Sequence, residues 1–188
     1  MPDIADQLPT VLLKAAEAHI RAAGTSPRPQ VHILAEDLQA AYLGYMVCRR
    51  FYRGADAASA LANLGVLPSV IKATRLFVVW EESDLRTALE IQGERTELGI
   101  AILDARSSSH TLHWHPFNAQ VGSVNSRGES TIVVTWHTPA HYENVPLLAP
   151  IEALLKVWRE PRYDDLERTA AELEEAGYEL NWAIPLKE

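Results

Sequence analysis

Leu98–Leu103 reads Leu-Gly-Ile-Ala-Ile-Leu, residues 110–117 read His-Thr-Leu-His-Trp-His-Pro-Phe, and residues 131–137 read Thr-Ile-Val-Val-Thr-Trp-His. These three runs decide the fold class. The first is a short apolar run closed by Asp104, Ala105, Arg106 and three serines, which suits a buried strand. The second and third alternate apolar and polar residues, and side chains on a strand alternate faces. Leu112 and Trp114 fall on one face, and Thr111, His113 and His115 on the other. Ile132, Val134 and Trp136 fall on one face, and Thr131, Val133, Thr135 and His137 on the other. One apolar and one polar face predict an antiparallel meander covered on one side. Pro116 has no N–H to give, so the second strand is expected to end there or lie at an edge. Residues 118–130 then read as a long, mobile loop.

The stretch 97–141 carries five of the seven histidines. If the second and third strands pair directly, His113, His115 and His137 share the open face. His141 follows beyond the strand, after Pro139. Several imidazoles on one surface can bind a divalent transition metal such as zinc, with His113, His115, His137, His141 and Asp104 as the ligand set. One of them can instead serve as a general base near neutral pH. The catalytic candidates are therefore His113, His115 and His137. No Cys pair and no HExxH reinforces this set, so solvent-side strand histidines are the competing account.

Outward from these strands, residues 4–23 place Leu8, Leu12, Leu13, Ala16 and Ile20 at helical spacing, with Gly24 as C-terminal cap. Residues 25–29 (Thr-Ser-Pro-Arg-Pro) form an extended linker, because two prolines fix φ. Residues 1–29 are thus an N-terminal helix and proline-containing linker, and 30–188 a single α+β domain. Residues 30–35 read as a short strand with a structural His32. Glu36 and Asp37 suit the start of a helix, and the run from Leu38 to Cys48 is apolar almost all round, as in a buried helix closed by Arg49, Arg50 and Arg53. Those arginines with Tyr52 form a candidate anion-binding site.

Residues 55–75 resemble a helix-turn-helix in shape, with Gly65 in the turn and Ser69, Lys72, Thr74 and Arg75 on the second helix. Leu76–Trp80 reads as a buried central strand, and Ser83 as the cap of a helix running to Gln92. A loop is expected over residues 93–96. Pro150 opens a helix whose buried stripe is Ile151, Leu154, Leu155 and Trp158. Another helix spans Tyr163–Ala176, with Gly177 as its cap, and the alternation of Tyr178, Leu180, Trp182 and Ile184 adds a last strand.

A net charge of −8 weighs against a nonspecific nucleic-acid binder, which is usually basic. One cysteine, Cys48, permits no intrachain disulfide and fits a reducing cytoplasm. No basic n-region opens the chain and no apolar run reaches the ~20 residues of a membrane span. The fold expectation is α+β: a mixed, largely antiparallel sheet of five to six strands with a meander, flanked by helices. The leading functional expectation is a cytoplasmic binding or regulatory protein acting through a protein partner or small ligand, with a homodimer as one form of partner. The alternatives are a metal-dependent or histidine-based hydrolase and a DNA-binding regulator.

Overall fold

In the computed structural model, residues 4–93 and 97–183 are described. Part of the loop expected at 93–96, and Ile184, lie outside the described residues. The fold is α+β, an open antiparallel sheet of eight strands with flanking helices, against the five to six strands the alternation suggested.

The strands are β1 (Gln30–Leu34), β2 (Tyr42–Val47), β3 (Arg75–Glu81), β4 (Gly99–Arg106), β5 (His110–Val124), β6 (Ser130–Trp136), β7 (Ala140–Glu143) and β8 (Glu179–Trp182). The helices are α1 (Ile4–Ala23), α2 (Ala55–Ala62), α3 (Val66–Val70), α4 (Glu82–Ala88), α5 (Ala149–Arg159) and α6 (Leu166–Glu175). The spatial order is β6-β5-β4-β3-β1-β2-β8, with β7 also paired to β5.

Two of the extra strands come from regions read otherwise. The segment expected as a buried helix, Leu38–Cys48, contains β2. Its apolar character all round reflects apolar side chains on both faces of the strand, a pattern that periodicity cannot distinguish from a buried helix. Gly44 and Met46 face one way, and Tyr45 and Val47 the other. Gly44 has φ +140, and a Cβ there would overlap the Asn181 carbonyl of β8, so only glycine lets β2 and β8 approach so closely. The second extra strand, β7, holds His141, which was expected in a loop beyond the third strand of the meander.

β5 does not end at Pro116. Residues 111–114 pair with β7 and residues from Phe117 onward pair with β6. Pro116 sits at the seam between them, where its missing N–H costs no ladder bond and its carbonyl accepts from the His137 N–H at 2.9 Å. The long loop expected at 118–130 shrinks to a turn. Asn125 Oδ1 accepts there from the N–H groups of Arg127 and Glu129, and Gly128 has φ +79.

Both faces of the sheet carry core, which corrects the one-sided cover expected of the meander. One face buries Val31, Met46, Val78, Trp80, Ala101 and Leu103 against α2, α3, α5 and α6. Leu112 and Trp114 pack on this side. Gly65 lies so near the Leu154 carbonyl of α5 that a Cβ would overlap it, which lets the helices cross closely. The other face buries Phe77, Val79, Ile100, Ile102, Phe117 and Val134 against α1. Leu8, Leu12, Ala16 and Ile20 recur at α1's inward spacing, each large side chain contributing roughly 1.5–3 kcal/mol. Gly24 and Gly177, at φ +69 and +99, cap α1 and α6 as their positions after the helices suggested.

Several helix ends move. α4 starts at Glu82 and stops at Ala88, short of Gln92, and its cap is the Glu81 carboxylate, which accepts from the Asp84 N–H, rather than Ser83. Glu81 is buried, and burial raises its pKa. α6 begins at Leu166, three residues late, because Asp165 caps it by accepting from the Arg168 N–H at 2.8 Å.

Candidate functional site: the sheet face under α1

The register lays the polar side chains of the α1 face in transverse rows. One row runs Val47, Gln30, Val79, Ile102, His113, His141 across six strands. The next runs Tyr45, His32, Phe77, Asp104, Thr111, Glu143. α1 covers the apolar middle. Its flanks leave two polar regions, a histidine patch over β5 and β7 and a cleft over β1 and β2.

In the histidine patch, His113 and His141 are direct cross-strand partners, with Nδ1 atoms 2.8 Å apart. One of these nitrogens must carry the shared proton and the other must accept it. The patch holds the imidazoles toward their neutral form: burial, then His141, lowers the pKa of His113, and burial, then His113 and His141, lowers that of His115. His115 meets the Trp136 ring edge-on, with centroids 6.4 Å apart.

His137 does not join them. Phe117 pairs with Trp136, so Trp136 shares the face of Phe117, His115 and His113, and His137 points from the opposite face. The direct pairing that would have aligned His137 with His113 is taken by β7 instead. Asp104 is also committed elsewhere. Its carboxylate accepts two hydrogen bonds from Arg75, at 2.8 Å from Nε and 2.7 Å from Nη2. Arg75 is 7% exposed, donates a third bond to Glu36, and stacks over Phe77. Arg106 closes the network on Glu36 at 2.9 Å. Two arginines thus balance two acids, which suits a buried ion pair with its hydrogen bonds satisfied.

A zinc site needs about four donors around one point. Among the described residues no three His, Cys, Asp or Glu side chains converge to hold a metal. His113 and His141 spend their Nδ1 atoms on each other, Asp104 spends its oxygens on Arg75, and His137 faces away. The five-residue ligand set is not assembled.

His32 lies in the adjacent row, 5% exposed, stacked between Tyr42 and Tyr45. Burial lowers its pKa to about 4, so it is neutral near pH 7. Nδ1 lies 2.9 Å from the Tyr42 hydroxyl, and Nε2 has no hydrogen-bond partner among the described residues. The tautomer with the proton on Nδ1 leaves a bare lone pair at Nε2 rather than an orphaned donor.

The arginines Arg49, Arg50 and Arg53 lie on the β2–α2 loop, not on a helix end. Arg49 is clamped on Asp56 by two bonds, at 3.2 and 2.6 Å, and Asp56 also accepts from the Tyr52 N–H. Tyr52 is 86% exposed and Arg53 is exposed. Arg50 lines a cavity. That cavity is a cleft of about 630 Å³ between α1, the linker and strands β1, β2 and β8. Its walls include Ala16, His19, Arg28, Tyr45, Arg50 and Glu179. The linker stays in place because Arg28 donates to the Cys48 carbonyl at 3.0 Å and pairs with Glu179. Sequence reasoning found Arg50 but missed the other walls. The paired prolines at 27 and 29 were the available signal, since they hold the linker extended beside the sheet.

The segment 55–75 does not build a reading head. Its second helix, α3, is one turn of five residues, with Leu67, Pro68 and Ser69 buried, and Ser69 donates to the Glu160 carbonyl of the α5 end. Arg75 belongs to β3. Among the described residues no helix is long and apolar enough to cross a membrane.

Set beside known protein families, curated proteins and solved structures, the chain matches none of them, so its own geometry carries the functional argument.

Proposed function

We propose that this chain is a non-catalytic binding protein that takes a small ligand in the cleft between α1, the linker and strands β1, β2 and β8. One observation carries the reading: the cleft's volume of about 630 Å³ falls within the roughly 300–1,000 Å³ of small-molecule sites, with polar groups set among apolar walls. The histidine patch supports a hydrolase less well, because its candidate general bases are not brought together with His137 or with a free acid. The single buried cysteine, whose pKa burial pushes up to about 12, fits a reducing cytoplasm and an inert thiol.

The test is an amide NMR titration with a panel of small metabolites. Shifts at Gln30, Tyr45, Val47 and Arg50 support the cleft. Shifts confined to residues 110–115 and 140–143 would move the site to the histidine patch.

A second reading, action through a protein partner, is favoured by the open edge of β6. This strand ends the sheet, and Ser130–Trp136 carries no charge and no proline to block further pairing. Val121, Val124 and Val133 are exposed on the same hairpin. A second copy pairing antiparallel would set Ile132 opposite Trp136 around a central Val134. Sedimentation equilibrium tests it: a dimer that Val133→Lys dissociates supports the reading, and a monomer at high concentration rejects it.

A further inference from the structure

We infer that the ligand of the cleft is an organic monocarboxylate: one negative charge on an apolar or aromatic body. The inference rests on the cleft reading above and deepens it.

The charge count selects the headgroup. The cleft walls hold two permanent cations, Arg28 and Arg50, and one acid, Glu179. Arg28 is already satisfied, because its guanidinium pairs with Glu179 and donates to the Cys48 carbonyl. Arg50 is exposed and its guanidinium has no acidic partner among the described residues. The cleft therefore offers one uncompensated positive charge. A single carboxylate matches it, and the planar guanidinium fork fits a carboxylate with two parallel bonds. A dianion would bring a second negative charge toward Glu179, which no further cation offsets. Even a monoanion gains here only locally, since the chain as a whole carries −8 and repels anions at long range. A fixed cation in the wall is what reverses that sign.

The remaining walls select the body. Ala15 and Ala16 of α1 present no side chain beyond Cβ, which leaves room over the sheet. Pro27, Val47 and Tyr45, whose ring stacks on His32, supply apolar and aromatic surface. Thr25, Ser26 and His19 add hydrogen-bonding groups to the lining. An uncharged sugar would leave the apolar walls unused, and a bare inorganic anion would leave most of the volume unfilled.

The experiment is calorimetry and amide NMR on the full chain with 4-phenylbutyrate, hexanoate, the uncharged 4-phenylbutanol, succinate and inorganic phosphate. The variants are Arg50→Gln, with Arg53→Gln as a control outside the cleft. The expected result is that the two monocarboxylates shift cleft amides and bind about tenfold or more tighter than 4-phenylbutanol. Arg50→Gln removes that advantage while Arg53→Gln and the melting temperature do not change. Equal binding of 4-phenylbutanol, or no effect of Arg50→Gln, overturns the monocarboxylate inference and leaves the cleft reading standing. Tighter binding of succinate or phosphate overturns the charge count in the same way. If no probe of any charge shifts a cleft amide, the cleft reading falls together with the inference.

Discussion

His113 Nδ1 lies 2.8 Å from His141 Nδ1 across the β5–β7 ladder, so two imidazoles share one proton on the surface of the sheet. The contact needs at least one neutral ring. It ties β7, a four-residue strand, to the first part of β5 and ends when both rings are charged.

Acid should therefore loosen this face. His32, His113 and His115 all have pKa values lowered from the ordinary 6.5 by burial. The unfolded chain takes up protons that the folded chain refuses. Stability is fully present above about pH 6.5 and falls as the pH drops below it. For His32, lowered to about 4, the loss continues to about pH 4 and reaches on the order of 3 kcal/mol. Melting temperatures recorded from pH 7.5 to 4 should decline, and His32→Phe should flatten the decline.

Asp104→Ala strands a buried guanidinium. Arg75 keeps Glu36 but loses both bonds to Asp104, and breaking such a pair costs about 3 kcal/mol or more. Urea unfolding should show this loss near neutral pH. A loss under about 1 kcal/mol would mean water reaches Arg75 and the network belongs to the surface.

Gly99 and Trp114 should be coupled. A Cβ on Gly99 would overlap the Trp114 indole, so Gly99→Ala forces the ring off the main core and costs roughly 1–3 kcal/mol. In a Trp114→Leu background the same substitution should cost much less. A double-mutant cycle with no coupling energy would contradict the packing.

Trp136 holds α1 to the sheet. Its indole N–H donates to Glu17 at 2.8 Å and its ring packs on Phe117. The side chain is half-buried, so Trp136→Ala should cost about 2–3 kcal/mol, below the ~3–5 of a fully buried tryptophan. Glu17→Ala should cost about 1 kcal/mol. Chemical denaturation followed by far-UV signal checks both.

Much of the architecture was legible because it repeats a period. The stripe Leu8, Leu12, Ala16, Ile20 marked α1, Leu76–Trp80 marked β3, and Ile151, Leu154, Leu155 and Trp158 marked α5. β2 failed the same test for a physical reason. Tyr42–Val47 carries apolar or aromatic side chains on both of its faces, Met46 in the core and Tyr45 and Val47 at the cleft, so the residue types show no alternation, and a uniformly apolar run fits a helix as well as a strand. The candidate site was legible one strand at a time. Alternation put His113 and His115 on one side of β5, but the partner of β5 at that point is β7 rather than β6, so the strand that could have aligned His137 was elsewhere.

The sequence by itself determined the class of the fold, the run of its longer helices and strands, and which side chains share a face within each strand, because these follow from local periodicity. Tertiary structure decided which strands pair, and through that whether Asp104 meets a metal or Arg75, whether His113 faces His137 or His141, and that a linker arginine and a loop arginine stand on the walls of one cleft. Those outcomes depend on register between segments far apart in the chain, and a shift of one residue in register exchanges the two faces of a strand.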